Sequence, residues 1–111
     1  MNEQIRDYIS RFPEEIIDMF DSIRQIIFDS SSNEPREELW AKLPSFYVGE
    51  AFVRLIPFKN HINIESEAIA SHKVELDGYK ITPKGMLQIF LGQKVPADML
   101  SKIFRETLDQ I

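Results

Sequence analysis

The chain has 111 residues, of which 43% are hydrophobic and 28% are charged, and its formal net charge is −5 at pH 7. This composition is typical of a globular protein, and we predict a single domain over residues 1–111. Because the chain has no cysteine, disulfides, cysteine-ligated metal centres and cysteine nucleophiles are excluded. It lacks an apolar run of signal-peptide length at its start and the roughly 20 apolar residues of a membrane helix, which predicts a cytoplasmic protein without a membrane partner.

The charge is unevenly distributed. Residues 1–41 hold ten acidic and four basic side chains, whereas residues 42–95 hold five acidic and seven basic ones. An overall acidic chain lacks the strongly basic footprint that general nucleic-acid binding requires, so no nucleic-acid partner is predicted. The acidic first third is suited to cations or a basic partner, and the middle of the chain is suited to a small anion.

The first third has apolar residues at helical spacing. Ile5, Ile9 and Phe12 predict one helix, and Pro13 begins a second, since proline suits a first helical position. The second helix carries a continuous apolar stripe: Ile16, Met19, Phe20, Ile23, Ile26 and Ile27. The polar stretch DSSSNEPRE, residues 29–37, predicts the loop that follows.

Strands are predicted next, from β-branched and aromatic residues. ELWAKLPSFYV is typical of one strand interrupted by Pro44. Gly49 and Glu50 predict a hairpin turn, and the strands AFVRLIPF and HINIE are predicted after it. SEAIASHKVEL predicts a short helix with Ser66 as its N-cap. KGMLQIFLG predicts a further strand, and Pro96 opens a last helix whose apolar stripe is Met99 or Leu100, Ile103, Phe104, Leu108 and Ile111.

This order of elements predicts an α+β fold. Segregated helices and hairpin-linked strands indicate an antiparallel sheet packed on N-terminal and C-terminal helices. The opposite face of the sheet is then open to water or partly covered.

Four acids near the start of the second helix form a candidate metal surface: Glu14, Glu15, Asp18 and Asp21. Spacings of three and four residues place Glu14, Asp18 and Asp21 on one helix ridge, where like charges repel. A hard cation such as ferrous iron, magnesium or calcium would relieve that repulsion through oxygen ligands. A solvated helix face with acids favoured by the helix dipole explains the same pattern, and any metal is expected to bind weakly.

The stretch PFKNHINI, residues 57–64, places polar side chains inside a predicted strand. Alternation directs Phe58, Ile62 and Ile64 to the core and places the odd-numbered residues on the other face. An antiparallel sheet usually has one face exposed to solvent, and this alone explains the polar residues at alternate positions. The alternative is a surface for a phosphate or carboxylate, formed by Lys59, His61, Tyr79, Lys80 and Lys84.

No catalytic motif is present in the sequence. A nucleophile-elbow serine, a glycine-rich phosphate loop and a paired-acid signature are all missing, so we predict that the protein is not an enzyme. The two histidines, His61 and His72, are predicted to be ordinary, partly exposed side chains. Trp40 is predicted to be a core or rim aromatic rather than a residue that stacks on a ligand.

Five segments together resemble the YdhG-like family, a family of unknown function that includes a frataxin-like iron chaperone. They are YISRFPEEI, ELWAKLPSF, PFKNHINI, LDGYKITPKGMLQIFL and KVPADMLSKIFRE, and the resemblance runs from about Asp7 to Glu106. It implies a frataxin-like two-layer α+β sandwich. The family pattern is matched at Lys59, His61, Tyr79, Lys80, Lys84 and Gln88.

The resemblance implies a weak ferrous-iron chaperone that delivers iron to iron–sulfur or haem assembly proteins. The iron surface would then be the acids Glu14, Glu15, Asp18 and Asp21, with ferrous iron as weakly bound cargo and no certain cofactor. The alternative is a non-enzymatic binding module for a small anion or a protein segment on the polar sheet face, with Gln88 added to its residues.

Overall fold

The computed structural model describes residues 1–110, and Ile111, predicted as the end of the last apolar stripe, lies outside them. The elements, in chain order, are α1 (Glu3–Ile9), α2 (Glu14–Ser30), β1 (Arg36–Trp40), β2 (Leu43–Val48), β3 (Ala51–Pro57), β4 (His61–Ser66), a 3₁₀ helix (Glu67–His72), β5 (Lys80–Ile81), β6 (Leu87–Phe90) and α3 (Ala97–Leu108). The predicted α+β fold, with helices at both ends of the chain around an antiparallel sheet, is confirmed.

The six strands form one sheet in the order β1-β2-β3-β4-β6-β5, and every neighbouring pair is antiparallel. α2 and α3 pack against each other and against β3 and β4, while α1 contacts β1. The helices therefore lie on one side of the sheet. We call the other side the open face, because no helix among residues 1–110 packs on it; it carries His61, Asn63 and Glu65 of β4 and their register partners.

The core lies between the sheet and the helices. The strands contribute fully buried aliphatic side chains: Val53, Leu55, Ile62, Ile64, Leu87 and Ile89. The helices contribute the predicted stripes, including Phe20 and Phe104, which are also fully buried. Burial of such side chains stabilises a fold by about 1.5–3 kcal/mol each, which is the main reason these strands keep one register.

The prediction of a single strand over ELWAKLPSFYV is wrong. The segment is a hairpin, in which Trp40 pairs with Leu43 across the two-residue turn Ala41–Lys42. Both turn residues have positive φ, 49° and 67°, as a tight hairpin turn requires. Glycine or asparagine usually occupies such positions, so this sequence carries no turn signal there.

The segment after β4 differs from its prediction in two ways. It forms a short 3₁₀ helix rather than an α-helix, and Ser66 makes no capping hydrogen bond. The Ser66 hydroxyl instead bonds the Thr107 hydroxyl of α3, 2.6 Å away. A tertiary contact thus replaces the predicted N-cap. His72, at the end of this helix, is buried rather than partly exposed.

Candidate functional site

Six aromatic rings lie on the open face, and they form two groups. Register places residues that face each other across antiparallel strands on the same side of the sheet. The aromatic rings on this side are Trp40, Tyr47, Phe52, Phe58, His61 and Phe90. One group surrounds Arg54 of β3, and the other is centred on His61 of β4.

Arg54 is the centre of the first group, which we call the Arg54 stack. Its Cζ lies 4.2 Å from the centroid of the Trp40 ring and 4.1 Å from that of Phe52. Its nitrogens donate to Ser45 Oγ at 2.8 Å, to Glu65 Oε1 at 3.1 Å and to the Tyr47 hydroxyl at 3.0 Å. The arginine is only 5% exposed, whereas Trp40 is 52% exposed. The Trp40 indole therefore covers a guanidinium whose charge is balanced by Glu65, and its other face presents apolar surface to solvent.

The second group is a stack of three rings, the His61 stack. The Phe58 and His61 rings are nearly parallel, with centroids 4.4 Å apart, and the His61 and Phe90 centroids are 4.7 Å apart. Burial between these rings lowers the pKa of His61, which favours the neutral imidazole at pH 7. The His61 Nδ1 lies 2.7 Å from Asn60 Oδ1, so Nδ1–H donates a hydrogen bond to this amide oxygen.

The placement of Phe58 corrects a prediction. The side chain was expected in the core with Ile62 and Ile64, but it is 41% exposed and stacks on His61. The amide N–H of Phe58 donates to the carbonyl of His61, closing a tight turn over residues 58–61. Alternation along a continuous strand does not extend through a turn, so the direction of Phe58 is reversed.

Asn63 lies between the two stacks. It faces Ile56 on one side and Gln88 on the other, and Gln88 in turn faces Lys80. Asn63 is 9% exposed. Its Oδ1 is buried and has no hydrogen-bond partner among the described residues.

The six residues predicted as an anion surface are divided by the structure. His61, Lys80 and Gln88 share the open face, and the Lys80 ammonium lies 5.9 Å from the centroid of the Phe90 ring. Lys59 is exposed in the turn beside Phe58. These four residues lie at the end of the sheet that holds the His61 stack.

Tyr79 and Lys84 do not join them. Tyr79 packs against the hydrophobic core, and its hydroxyl donates to the carbonyl of Lys94. It precedes Lys80 directly, so alternation places it on the other side of the sheet. Lys84 lies at the opposite end of the sheet, in a cleft of about 380 Å³ that Glu50, Glu65 and Glu67 also line.

The acids of α2 do not form one cluster. Glu14, Glu15 and Asp18 are exposed, whereas Asp21 turns towards α1, where its Oδ2 lies 3.8 Å from Arg6 Nη1. The other oxygen of Asp21, Oδ1, is buried without a hydrogen-bond partner in the described structure. Within residues 1–110 there is no group of three or more His, Cys, Asp or Glu side chains placed to hold a metal ion.

The Arg54 stack was not predicted from the sequence. Arg54 occurs in AFVRLIPF at a position that alternates with the core residues Val53 and Leu55, which signals the open face. Trp40 gave no such signal, because its position depends on the unpredicted hairpin at Ala41–Lys42. Trp40 was predicted to be a core or rim aromatic, and its exposure places it outside the core. Its contact with Arg54 was not predicted.

No family model, curated protein or solved structure matches this chain. The resemblance to the YdhG-like family therefore stays a prediction. None of the helices in residues 1–110 is long and apolar enough to cross a membrane.

Proposed function

We propose that this protein is a non-enzymatic, cytoplasmic binding module whose open face binds a segment of a partner protein. The observation that carries the proposal is the composition of this face. Two exposed aromatic rings, Trp40 and Phe58, stand on a surface with four further rings and a buried arginine. Tryptophan, tyrosine, phenylalanine and arginine are the residues enriched in protein interfaces and their energetic hot spots.

A protein segment suits this face better than a small molecule does. Small-molecule sites are concave and enclose most of the ligand. The cleft of about 380 Å³ lies at one end of the face and includes only Phe52 among the six aromatic rings. The two stacks instead stand side by side on the sheet, an arrangement that an extended partner can contact together.

The charges on the face indicate an acidic partner. Its acids are already paired, since Glu65 bonds Arg54 and Glu38 bonds Arg36 at 3.2 Å. Lys80 and Lys59 are exposed and make no salt bridge within residues 1–110. The uncompensated charge beside the His61 stack is therefore positive, although the whole chain is acidic, and a segment with aromatic and acidic residues is complementary to it.

The test uses defined peptides and amide chemical shifts. An acetylated, amidated octapeptide of alternating Glu and Tyr should shift amides of β2, β3, β4 and β6. Replacing its Tyr residues by Ser, or its Glu residues by Lys, should weaken binding. Trp40→Ala and Phe58→Ala should each weaken binding of the Glu–Tyr peptide about tenfold, the scale of a hot-spot side chain.

The matched control is Val74→Ala, because Val74 is 87% exposed and lies in the turns that follow the 3₁₀ helix. This variant should bind the peptide as the wild type does. The proposal is wrong if millimolar peptide leaves the strand amides unshifted. It is also wrong if single-stranded oligothymidylate binds the same face more tightly than the peptide, because the face would then be a nucleic-acid platform.

A second candidate function is weak ferrous-iron binding at the acids of α2, which are Glu14, Glu15, Asp18 and Asp21. The observation that favours it is Asp21 Oδ1, a buried carboxylate oxygen without a hydrogen-bond partner in the described residues. A cation would supply the missing partner of this oxygen. A chaperone for iron–sulfur or haem assembly proteins, as the YdhG-like resemblance implies, would use such a surface.

Anaerobic titration with ferrous iron tests this candidate. Amide shifts confined to residues 14–21, and abolished by charge reversal at Asp18 and Asp21, would support it. The peptide should still bind that double variant, because the helix ridge and the open face lie on different sides of the protein. Unchanged amides at millimolar iron would remove the candidate.

A further inference from the structure

Within residues 1–110, Asn63 is the one polar side chain of the open face that is deeply buried and has a side-chain oxygen without a hydrogen-bond partner. It is 91% buried, and its Oδ1 has no partner among the described residues. Arg54, another buried polar group of this face, bonds three different side chains, one of which is the buried Ser45. Each nitrogen of the Arg54 guanidinium therefore has a hydrogen-bond partner, whereas Asn63 Oδ1 has none in the described residues.

Folding alone does not favour asparagine at this position. A buried polar atom without a hydrogen bond is destabilising, and asparagine is depleted in strands. Valine would suit this buried strand position between Ile56 and Gln88 better, because it is favoured in strands and leaves no polar atom unpaired. A residue that lowers fold stability at a strained or unsatisfied position is a candidate for function.

Asn63 also occupies the midpoint between the two stacks along β4. Residues 61 and 65 flank it on the same side of the strand; His61 is the middle ring of one stack, and Glu65 bonds the arginine of the other. Residues four apart in a strand are about 13 Å apart. An extended segment that runs along β4 over His61 and Glu65 crosses Asn63 and needs only about four residues to do so.

We infer that the Asn63 amide hydrogen-bonds a backbone peptide unit of the bound segment and is a specificity-determining residue of the open face. A side-chain amide offers one acceptor and two donors, and a peptide unit offers one donor and one acceptor. Since the terminal torsion of asparagine is soft and roughly two-fold, the amide can turn either end towards the partner. This inference rests on the proposed binding function and adds its hydrogen-bonding residue.

The test compares Asn63→Val with Asn63→Thr. The valine and threonine side chains have nearly the same shape, and threonine has a hydroxyl in place of one methyl group. Both variants should unfold at the same urea concentration as the wild type or at a higher one. Asn63→Val should bind the Glu–Tyr octapeptide about tenfold more weakly than the wild type. Asn63→Thr should bind it more tightly than Asn63→Val and more weakly than the wild type, because its hydroxyl replaces part of the lost hydrogen bonding. Asn33→Val, in the exposed loop between α2 and β1, is the control and should bind normally.

N-methylation of the peptide, one residue at a time, identifies the hydrogen bond itself. One N-methyl position should weaken binding to the wild type about tenfold and to Asn63→Val less than twofold, because the variant has already lost the same bond. Position-independent effects of N-methylation would overturn the inference.

The remaining outcomes separate this inference from the proposed function. If the peptide binds the open face but Asn63→Val and Asn63→Thr bind it equally, only the role of Asn63 is removed. If Asn63→Val lowers the urea midpoint, Asn63 is a structural hydrogen-bonding residue and the inference is wrong. If the peptide does not bind the face at all, both proposals are overturned.

Discussion

The two faces of the sheet use the same strands and differ in how they are stabilised. On the covered face, Leu55 and Ile64 face each other and are fully buried under the helices. On the open face, Arg54 and Glu65 face each other one position along, and the arginine is buried by Trp40 and Phe52 instead of by a helix. The covered face depends on apolar burial, whereas the open face depends on stacking and charge-assisted hydrogen bonds. The open face therefore retains exposed rings that a partner can cover.

The two histidines differ in the same way. His61 stands between two phenylalanine rings, and this burial lowers its pKa. His72 is buried behind the sheet, where Glu106 Oε1 lies 2.7 Å from Nε2 and Glu75 Oε2 lies 2.8 Å from Nδ1. Hydrogen bonds to these two carboxylates raise its pKa, Glu106 having the larger effect. The two environments thus shift the pKa of the same residue type in opposite directions.

The largest contrast between the faces is expected from removal of one ring on each. Phe104→Ala should lower the free energy of unfolding by about 3–5 kcal/mol, because the side chain is fully buried in the core. Phe58→Ala should cost about 1 kcal/mol, since 41% of the side chain is already exposed and less apolar surface loses its burial. Urea denaturation of both variants measures the difference. Equal losses would mean that the open face is as structural as the core.

A smaller effect is expected from Arg54. Arg54→Met should lower the free energy of unfolding by about 2–3 kcal/mol, because it removes three hydrogen bonds and leaves Glu65 without its cation. The control is Arg36→Met, in a residue that also pairs with a glutamate and lies over a ring, Tyr47, but whose side chain is 60% exposed. It should cost at most about 1 kcal/mol. Similar costs for the two variants would contradict the stacking model.

The histidines should make stability depend on pH with opposite signs. The raised pKa of His72 means that its contribution is complete below the unfolded value of about 6.5 and is lost as the pH rises through the folded pKa. The lowered pKa of His61 means that its contribution is complete above about 6.5 and is lost as the pH falls through the folded pKa.

Urea titrations of wild type, His72→Gln and His61→Gln between pH 5 and pH 9 measure both slopes. The stability difference between wild type and His72→Gln should shrink with rising pH, and the difference for His61→Gln should grow. Parallel curves for the two variants would show that the two environments do not differ.

The smallest effect is expected at the hairpin that positions Trp40. Ala41→Asn combined with Lys42→Gly should raise the free energy of unfolding by about 1 kcal/mol, because both positions have positive φ. Gly49→Ala is the opposite control: its φ is +62° and no atom lies within 4 Å of the added Cβ. Backbone strain alone should therefore lower stability by a similar amount. Urea midpoints and the Trp40 fluorescence spectrum report both changes.

The sequence predicted the fold better than the site. Apolar periodicity located the helices, and alternation assigned Ile62 and Ile64 to the core and His61 to the other face. Alternation failed where a turn changed it, as at Phe58. The predicted site also placed Tyr79 and Lys80 on one face, although alternation separates two consecutive residues. Of the six residues predicted as one site, four lie at the same end of the sheet: Lys59, His61, Lys80 and Gln88. The residues of the Arg54 stack are distant in sequence, and no local pattern predicts that they meet.

By itself, the sequence determined the alternation of core and solvent positions, the helix at Pro96 and the turn at Gly49, because these depend on neighbouring residues and on backbone preferences. Only the tertiary structure decided which side chains meet. His72 and Glu106 are 34 positions apart, and Trp40 reaches Arg54 through a hairpin without a glycine. Such contacts depend on strand register and helix docking, which burial of the whole core determines and no short segment encodes.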